Sequence, residues 1–377
     1  MRAASVGAAI RVIDDAGTSG DALPYPIHVG HALLGRLPAI VPALEAAHRV
    51  VVVTDTTVAA HHAAPLVRTL GEARTLLLTV APGERAKSRA QWAALTDAML
   101  AAGVGRDAVV VALGGGVVGD LAGFVAATFL RGIPVVQCPT TLLAMVDASI
   151  GGKTGVDTPS GKNLVGAFHP PLAVVADLDV LATLPATERA QGLAESLKHG
   201  VVADTDYWNA VTHALPWPDD GRTLHALVAG SARIKSGVVA RDPHERGERA
   251  ILNFGHTIAH AIERLRAFAM PHGEAVAIGM VVEAMIAERT GHGDASVARA
   301  LRDALPRAGL PVHVPADLDA DAIVAATAGD KKSRAGIVRY ALPAAIGRMA
   351  RDADGQWAIA VAPDVVRDAL LAARAPA

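Results

Sequence analysis

At 377 residues the chain is long enough for two domains with separate hydrophobic cores. A hydrophobic content of 51% and a mean hydropathy of +0.34 favour a well-packed globular protein and argue against intrinsic disorder. The formal charge of -2 is spread along the chain without a basic stripe, which excludes nucleic acid and anionic lipid as expected partners. A small-molecule ligand is the remaining expectation.

Cysteine use and the length of the apolar runs point to a cytoplasmic protein. Cys138 is the single cysteine, so we expect neither a disulfide framework nor a thiolate metal site. We expect no signal peptide, because Arg2 is followed by only a short Ala-rich run before acidic residues appear. The apolar run after His272 is interrupted by Glu274 and Glu283 before it reaches the length of a membrane helix.

Short β-branched runs alternate with helical stretches between residues 49 and 177, which predicts a parallel sheet covered by helices. The predicted strands span residues 50–53, 75–80, 108–113, 134–138 and 173–176. The forty-odd residues before them are weakly patterned, and we expect them to add strands to this sheet. From about Pro185 to Ala326, long Ala-rich amphipathic segments predict a mostly helical second domain. We therefore expect an α/β domain over residues 1–180 and an α-helical domain over residues 181–377.

A glycine-rich turn directly follows the predicted strand at 108–113. Residues 114–119 match GxGxxG at a strand-to-helix turn, where backbone can approach a pyrophosphate and the helix N-terminus favours its charge. The pattern departs from the usual dinucleotide fingerprint, because no acidic residue ends the next predicted strand to bind a ribose. Asp55, just past the first predicted strand, could take that role, and Glu84 and Lys87 follow the second.

A helix cap or a turn is the competing interpretation for each of these polar residues, and especially for Thr140 and Thr141 after Pro139. Their joint position at successive strand ends nevertheless favours a nucleotide site.

Two histidines four residues apart mark a candidate metal site in the second half of the chain. His256 and His260 lie in a segment that reads as helix, so both imidazoles share one face and could bind one ion. His272 and Glu274 offer further ligands for a divalent metal such as zinc. The competing interpretation is two satisfied histidines and a helix cap, since the zinc-protease pattern needs Glu where Thr257 stands. The pattern alone leaves both open.

Lysine is rare in this chain, with seven lysines among 35 basic residues. A compact ammonium suits phosphate and hydroxyl contacts that a planar guanidinium makes less well, so the retained lysines are candidate site residues. Codon bias is the alternative. The seven are Lys87, Lys153, Lys162, Lys198, Lys235, Lys331 and Lys332.

Several motifs in this order carry a family resemblance: PGERAKS, GGGVVGDLAGF, RGIPVVQCPTTLLAMVDASIGGKTGVD, GKNLVGAFHPP, GLAESLKHG, NFGHTIAHAIE, HGEAVAIGM and DKK. From about residue 55 to 347 the chain resembles the 3-dehydroquinate synthases, which are sugar phosphate cyclases. The resemblance implies a Rossmann-like NAD-binding α/β domain joined to a helical metal- and substrate-binding domain, in a homodimer with one zinc or cobalt ion. It implies conversion of 3-deoxy-D-arabino-heptulosonate 7-phosphate to 3-dehydroquinate and phosphate, a step of the shikimate pathway to aromatic amino acids.

Residue roles follow from the resemblance, position by position. It assigns the metal to Glu195, His256 and His272. It assigns NAD contacts to Asp55, Glu84, Lys87, Gly115, Gly116, Asp120, Thr140, Thr141, Lys153, Lys162 and Thr183. It assigns catalytic roles to Asp147, Lys153, Lys198, Lys235, Asn253 and His260. It assigns substrate binding to Arg131, Asn163, Arg249, and Lys331 or Lys332, with Arg131 reaching the phosphate across the dimer.

The implied chemistry is a transient oxidation of the C5 hydroxyl by NAD, β-elimination of phosphate, return of the hydride and aldol ring closure. Other readings stay open. Synthases of inososes or valiolones act on substrates without the carboxylate that Lys235 and Arg249 would bind, whereas an aminodehydroquinate synthase stays an alternative. A metal-dependent polyol dehydrogenase would share the architecture and release NADH, and a non-catalytic relative would keep the fold for binding only.

Overall fold

The computed structural model describes residues 10–11, 23–218, 220–328 and 338–375. Two compact units make up the chain, Met1–Pro185 and Ala186–Ala377.

A seven-stranded sheet forms the centre of the first unit. The strands of this unit are β1 (Ile10–Arg11), β2 (Ile27–Gly30), β3 (Val50–Asp55), β4 (Thr75–Val80), β5 (Val109–Gly114), β6 (Val135–Pro139), β7 (Lys153–Thr158), β8 (Gly161–Phe168) and β9 (Ala173–Asp177). The order in the sheet is β1-β2-β9-β6-β5-β3-β4, and every pair is parallel except β1 with β2. All five predicted strands are confirmed, and β1 and β2 are the additional strands expected before them.

Helices cover both faces of this sheet. They are α1 (Leu37–Ile40), α2 (Ala43–Ala46), α3 (Thr56–Val58), α4 (Ala64–Leu70), α5 (Arg89–Ala101) and α6 (Gly116–Thr128), with a π-helical segment (Ala59–Ala63) joining α3 to α4. Alternate residues of β3 point to opposite faces: Val51 and Val53 pack in one core cluster, Val50 and Val52 in the other. A strand buried on both faces needs a continuous apolar run, which explains why the β-branched runs predicted the parallel sheet well.

An antiparallel hairpin of β7 and β8 lies outside the main sheet, and the sequence pattern did not predict it. Glycine and charged residues lower the strand propensity of this segment. The glycines have a packing role, because a Cβ on Gly166 would lie 2.1 Å from the carbonyl oxygen of Thr154 on the partner strand. The lysines of this glycine-rich segment therefore lie on paired strands instead of in an open loop.

The second unit is mostly helical, as predicted. Its helices are α7 (Ala186–Ala203), α8 (Thr205–His213), α9 (Gly221–Arg241), α10 (His256–Leu265), α11 (His272–Arg289), α12 (Ala295–Arg307), α13 (Ala320–Ala328) and α14 (Pro363–Ala372). Four short strands lie between α13 and α14: β10 (Arg339–Ala341), β11 (Pro343–Ala345), β12 (Arg348–Met349) and β13 (Ala358–Ala360).

Helix α11 is the centre of this unit. It packs against α7, α10, α12 and α14, and nearly all of its residues are buried. This burial explains why the helix is mostly apolar on all sides, with Glu274 and Glu283 as the interruptions. Across the described ranges, no helix combines the length and apolar character needed to cross a bilayer.

Candidate active site

The glycine-rich turn lies where the sequence predicted it, between β5 and α6. Gly115 is the N-cap of α6, so the first backbone N–H groups of this helix are available to an anion at the carboxyl end of the sheet. Gly114 must be glycine, because a Cβ there would lie 2.6 Å from Cβ of Val118. Thr140 borders the turn, since its backbone N–H donates to the Gly114 carbonyl at 3.0 Å.

Of the polar residues predicted at strand ends, Asp55 and Thr141 accept hydrogen bonds from nearby backbone N–H groups, whereas Thr140 does not. The Asp55 carboxylate caps α3, where Oδ1 accepts from the N–H groups of Thr57 at 2.8 Å and Val58 at 2.9 Å. Thr141 Oγ1 likewise accepts from Ala144 N–H at 3.1 Å. The competing cap interpretation thus describes both side chains, and their NAD roles stay predictions. Thr140 is different, because its hydroxyl is buried and has no hydrogen-bond partner among the described residues.

A cluster of charges surrounds Lys87, whose side chain is 5% exposed. Its Nζ donates to Oδ2 of Asp120 at 2.8 Å and lies 3.4 Å from Oε1 of Glu84. Lys162 Nζ lies 3.5 Å from the other Glu84 oxygen. Burial lowers the pKa of Lys87, but the charges of Asp120 and Glu84 outweigh it and raise that pKa above its usual value. Four residues that the resemblance assigned to NAD therefore share one network, and Asp157, 3.9 Å from Lys87 Nζ, is a member the sequence did not predict.

Replacing Lys87 with Met should weaken this network, because two carboxylates would then face each other without the ammonium between them. We expect a loss of about 1–3 kcal/mol in unfolding free energy, discounted for the partial exposure of Glu84 and Asp120, and at least about tenfold weaker NAD binding. Thermal unfolding and an NAD titration measure the two effects. Arg85→Met, at an exposed neighbouring position, is the control and should change neither. Equal NAD affinity in both variants would remove Lys87 from the cofactor site.

Other predicted residues of the first unit lie on different elements. Asp147 lies in a π-helical segment (Ala144–Ala148) and Lys153 begins β7. Asn163, on β8, has a left-handed φ of 53° and donates its N–H to Oδ1 of Asp157 at 2.9 Å. Thr183 Oγ1 donates to the Val180 carbonyl at 2.9 Å. Arg131 is exposed at the end of the turn that follows α6.

A carboxylate and two imidazoles meet in the second unit. Glu195 of α7 is fully buried, and its Oε1 lies 3.6 Å from Nε2 of His256 and 3.7 Å from Nε2 of His272. Ligand atoms around a tetrahedral zinc ion, each about 2.1 Å from the metal, are about 3.4 Å apart. The three side chains form a group whose ligand atoms all lie within 4.8 Å of one another, which suits a divalent cation. The sequence placed His256 and His272 near each other, whereas Glu195 comes from a distant helix.

Hydrogen bonds on the far side of each ring orient the two imidazoles. Nδ1 of His256 lies 3.2 Å from the carbonyl oxygen of Phe254. Because a carbonyl oxygen can only accept, Nδ1 carries the proton and Nε2 presents its lone pair toward Glu195. Nδ1 of His272 lies 3.3 Å from Oε1 of Glu263, a buried residue of α10. Such partners orient metal-binding histidines in known sites, and the sequence reasoning missed Glu263 because the contact joins two helices.

The electrostatics of the cluster differ between its two histidines. Burial, followed by the positive charge of Lys198, lowers the pKa of His256 well below its usual value. Burial also acts to lower the pKa of His272, but hydrogen bonding with Glu195 and Glu263 outweighs it and raises this pKa to about 9. Lys198, 1% exposed, contacts Oε2 of Glu195. The carboxylate thus faces the histidines with one oxygen and an ammonium with the other.

The remaining predicted residues of this unit lie on α9, on α10 and on the segment directly before α10. The His260 ring lies edge-on to His256, with ring centroids 5.5 Å apart. Arg249 and Asn253 lie on a 3-10 segment (Glu248–Asn253) that packs against α7 and α9, and α9 carries Lys235.

The segment before Arg249 and Asn253 binds both side chains. Arg249 Nη1 donates to the carbonyl of Pro243 at 2.7 Å, and Asn253 Nδ2 donates to Oε1 of Glu245 at 2.8 Å. Lys331 and Lys332 fall outside the residues that the structure describes.

Two solved structures are similar to this chain over most of its length. A 2-deoxy-scyllo-inosose synthase solved with carbaglucose-6-phosphate, NAD+ and Co2+ has a TM-score of 0.84 at 25% identity, covering 93% of this chain and 97% of that one. A 2-epi-5-epi-valiolone synthase from Streptomyces hygroscopicus subsp. jinggangensis, solved with NAD+ and Zn2+, has a TM-score of 0.82 at 29% identity, covering 94% and 98%. The fold is therefore dehydroquinate synthase-like, a Rossmann-like α/β unit with a helical unit.

Sequence comparison identifies the family within that fold. The family profiles 3-dehydroquinate synthase N-terminal and 3-dehydroquinate synthase C-terminal match residues 77–191 and 192–333. A 3-dehydroquinate synthase from Symbiobacterium thermophilum is 45% identical over 356 residues, which cover 93% of this chain and 98% of that protein. The chain belongs to the 3-dehydroquinate synthase family, a family of lyases.

Proposed function

We propose that the protein converts 3-deoxy-D-arabino-heptulosonate 7-phosphate to 3-dehydroquinate and phosphate, using NAD and one divalent metal ion. The observation that carries this proposal is the cluster of Glu195, His256 and His272, in which both Nε2 atoms face one carboxylate oxygen at 3.6 and 3.7 Å. The same three positions are those that the family resemblance assigns to the metal. The identity of the proposed substrate is taken from membership of the 3-dehydroquinate synthase family.

The described residues fit both cofactors. One carboxylate and two imidazole nitrogens would hold a zinc or cobalt ion, since both metals accept ligands of this kind. The buried Thr140 hydroxyl without a partner, next to the glycine turn at the start of α6, fits a pyrophosphate or ribose neighbour. When bound, NAD accepts and returns a hydride at C5, and the metal polarises the C5 oxygen.

The chain's own residues bind and orient the substrate. Arg249 and Lys235 hold the carboxylate, for which a planar guanidinium is suited. Lys198 and Asp147 orient the hydroxyl groups at C4 and C5 and move a proton. His260, Asn253 and Asn163 contact the substrate.

Cations position the leaving phosphate. Lys153 and one of Lys331 or Lys332 bind it, and Arg131 reaches it from the second protomer of a homodimer. Leu164 and Phe168 share one face of β8 and are exposed, and Val165 on the opposite face is exposed too. Exposed apolar side chains this close together support an interface in the first unit. The cytoplasm is the location we propose, since the single cysteine suits a reducing compartment.

The proposal is tested by following two products at once. Purified protein with NAD and Zn2+ or Co2+ should release one phosphate per heptulosonate phosphate consumed, while NADH absorbance does not accumulate, because the hydride returns within each turnover. Accumulation of NADH on a simple polyol without phosphate release would mean a dehydrogenase. An aminated substrate tested in parallel distinguishes an aminodehydroquinate synthase, which should prefer it.

A further inference from the structure

The first turn of α10, which begins with the metal-cluster residue His256, lacks a cap from its own chain segment. Gly255 is the N-cap, with a left-handed φ of 81°, and glycine has no side chain with which to accept a hydrogen bond. The first backbone N–H groups of a helix have no acceptors within the helix, so a buried start needs acceptors from elsewhere.

Glu283 of α11 supplies these acceptors, although its side chain is fully buried. Its Oε2 accepts from the N–H of Gly255 at 2.7 Å, and its Oε1 accepts from the N–H groups of Thr257 at 3.1 Å and Ile258 at 3.3 Å. A carboxylate at a helix N-terminus is further stabilised by the helix dipole and by the charge-assisted character of these bonds. One side chain thus satisfies three donors on both sides of His256.

Helix α11 carries Glu283 and His272 about three helical turns apart, so both face α10. The backbones of the two helices are in close contact there, because a Cβ on Gly279 would lie 2.0 Å from the carbonyl oxygen of Gly255. One rigid helix therefore presents His272 at its start and holds the start of the helix that presents His256.

We propose that Glu283 is a positioning residue for the metal centre: by capping α10 from α11, it fixes the position of the His256 imidazole relative to that of His272. The proposal rests on the proposed function in taking Glu195, His256 and His272 as the metal ligands. Glu283 itself acts through the backbone of α10 and binds no ion.

Glu283→Gln tests the proposal with little change of size. Its amide NH2 must face at least one backbone N–H that the carboxylate accepts, so hydrogen bonds at the helix start are lost. We expect zinc affinity, measured by competition with a chromophoric chelator, to fall about 10–100-fold, the range for residues that orient metal ligands. At saturating metal, kcat should return to within about twofold of the wild type, because the ligands themselves are intact.

Two controls separate positioning from general destabilisation. Glu288→Gln, at an exposed position of the same helix, should leave zinc affinity unchanged. Leu301→Ala removes a buried side chain of α12, so it should lower the melting temperature without weakening zinc binding. Zinc binding by Glu283→Gln as tight as that of Leu301→Ala would overturn the proposal.

Hydrogen exchange on the metal-free wild-type protein gives a second measurement that does not need the variant to fold. The amides of Gly255, Thr257 and Ile258 should be protected as strongly as core amides of α11, because Glu283 holds them before metal binds. Fast exchange at these three amides would overturn the proposal. Failure of the wild type to bind zinc would instead contradict the metal assignment, and so the proposed function.

Discussion

His272→Ala should abolish phosphate release and leave the protein with little bound metal. The substitution removes one of the three proposed ligands and the ring that Glu263 orients, so Glu195 and His256 alone should hold an ion weakly. Loss of metal polarisation is expected to lower kcat/KM by at least about 10³-fold, since a Lewis acid contributes several kcal/mol to the transition state. Metal analysis of the purified variant and a phosphate-release assay measure the two effects.

His260→Ala is the matched control for this experiment, because it removes an imidazole from α10, one turn beyond His256 and outside the proposed ligand set. The cluster of ligand atoms pairs His256 with Glu195 and His272, and we assign His260 to the substrate. We expect full metal content with about 10²–10⁴-fold lower kcat/KM. If His260→Ala loses its metal and His272→Ala keeps it, His260 is the metal ligand and His272 is not.

The roles of these histidines also show how far the four-residue spacing of His256 and His260 could predict the site. The four-residue interval placed His256 and His260 on one helical face, and the structure gives them neighbouring rings. The interval could not tell which of the two imidazoles lies beside a carboxylate. That depends on the packing of α7, which places Glu195 next to His256. The family resemblance assigned Glu195 to the metal, whereas residue pattern alone offered Glu274 as the nearby carboxylate.

The fold was predictable where the burial of a strand or helix requires a recognisable pattern of apolar residues. Strands buried on both faces, such as β3 and β5, read as Val-rich runs, and the helical unit shows as long Ala-rich segments. The β7–β8 hairpin was missed because its glycines and charges weaken the strand signal.

Residues that contact a site residue on another helix or strand could not be recognised from the local sequence. Asp157, Glu263 and Glu283 belong to no local motif that marks them as site residues. Only tertiary packing brings them to Lys87, His272 and the start of α10.

Lys198→Met should destabilise the metal-free protein far more than the metal-loaded one. Lys198 and Glu195 are 1% and 0% exposed, and removal of the ammonium leaves a buried carboxylate without that partner. Breaking a buried ion pair in this way costs about 3–5 kcal/mol, which corresponds to a melting temperature lower by roughly 6–20 °C in a unit of this size. A bound divalent cation supplies positive charge to the other side of the same carboxylate, so zinc should restore part of the loss.

Thermal unfolding of wild type, Lys198→Met and the double variant Lys198→Met/Glu195→Gln, each with chelator and with zinc, completes the experiment. Removing both charges should recover stability in chelator relative to Lys198→Met, because no buried charge remains uncompensated. The double variant should gain little from zinc, since one ligand is altered. If Lys198→Met lowers the melting temperature equally with and without zinc, the ammonium and the metal do not balance the same carboxylate. Glu195 would then be a structural partner of Lys198 and not the third ligand.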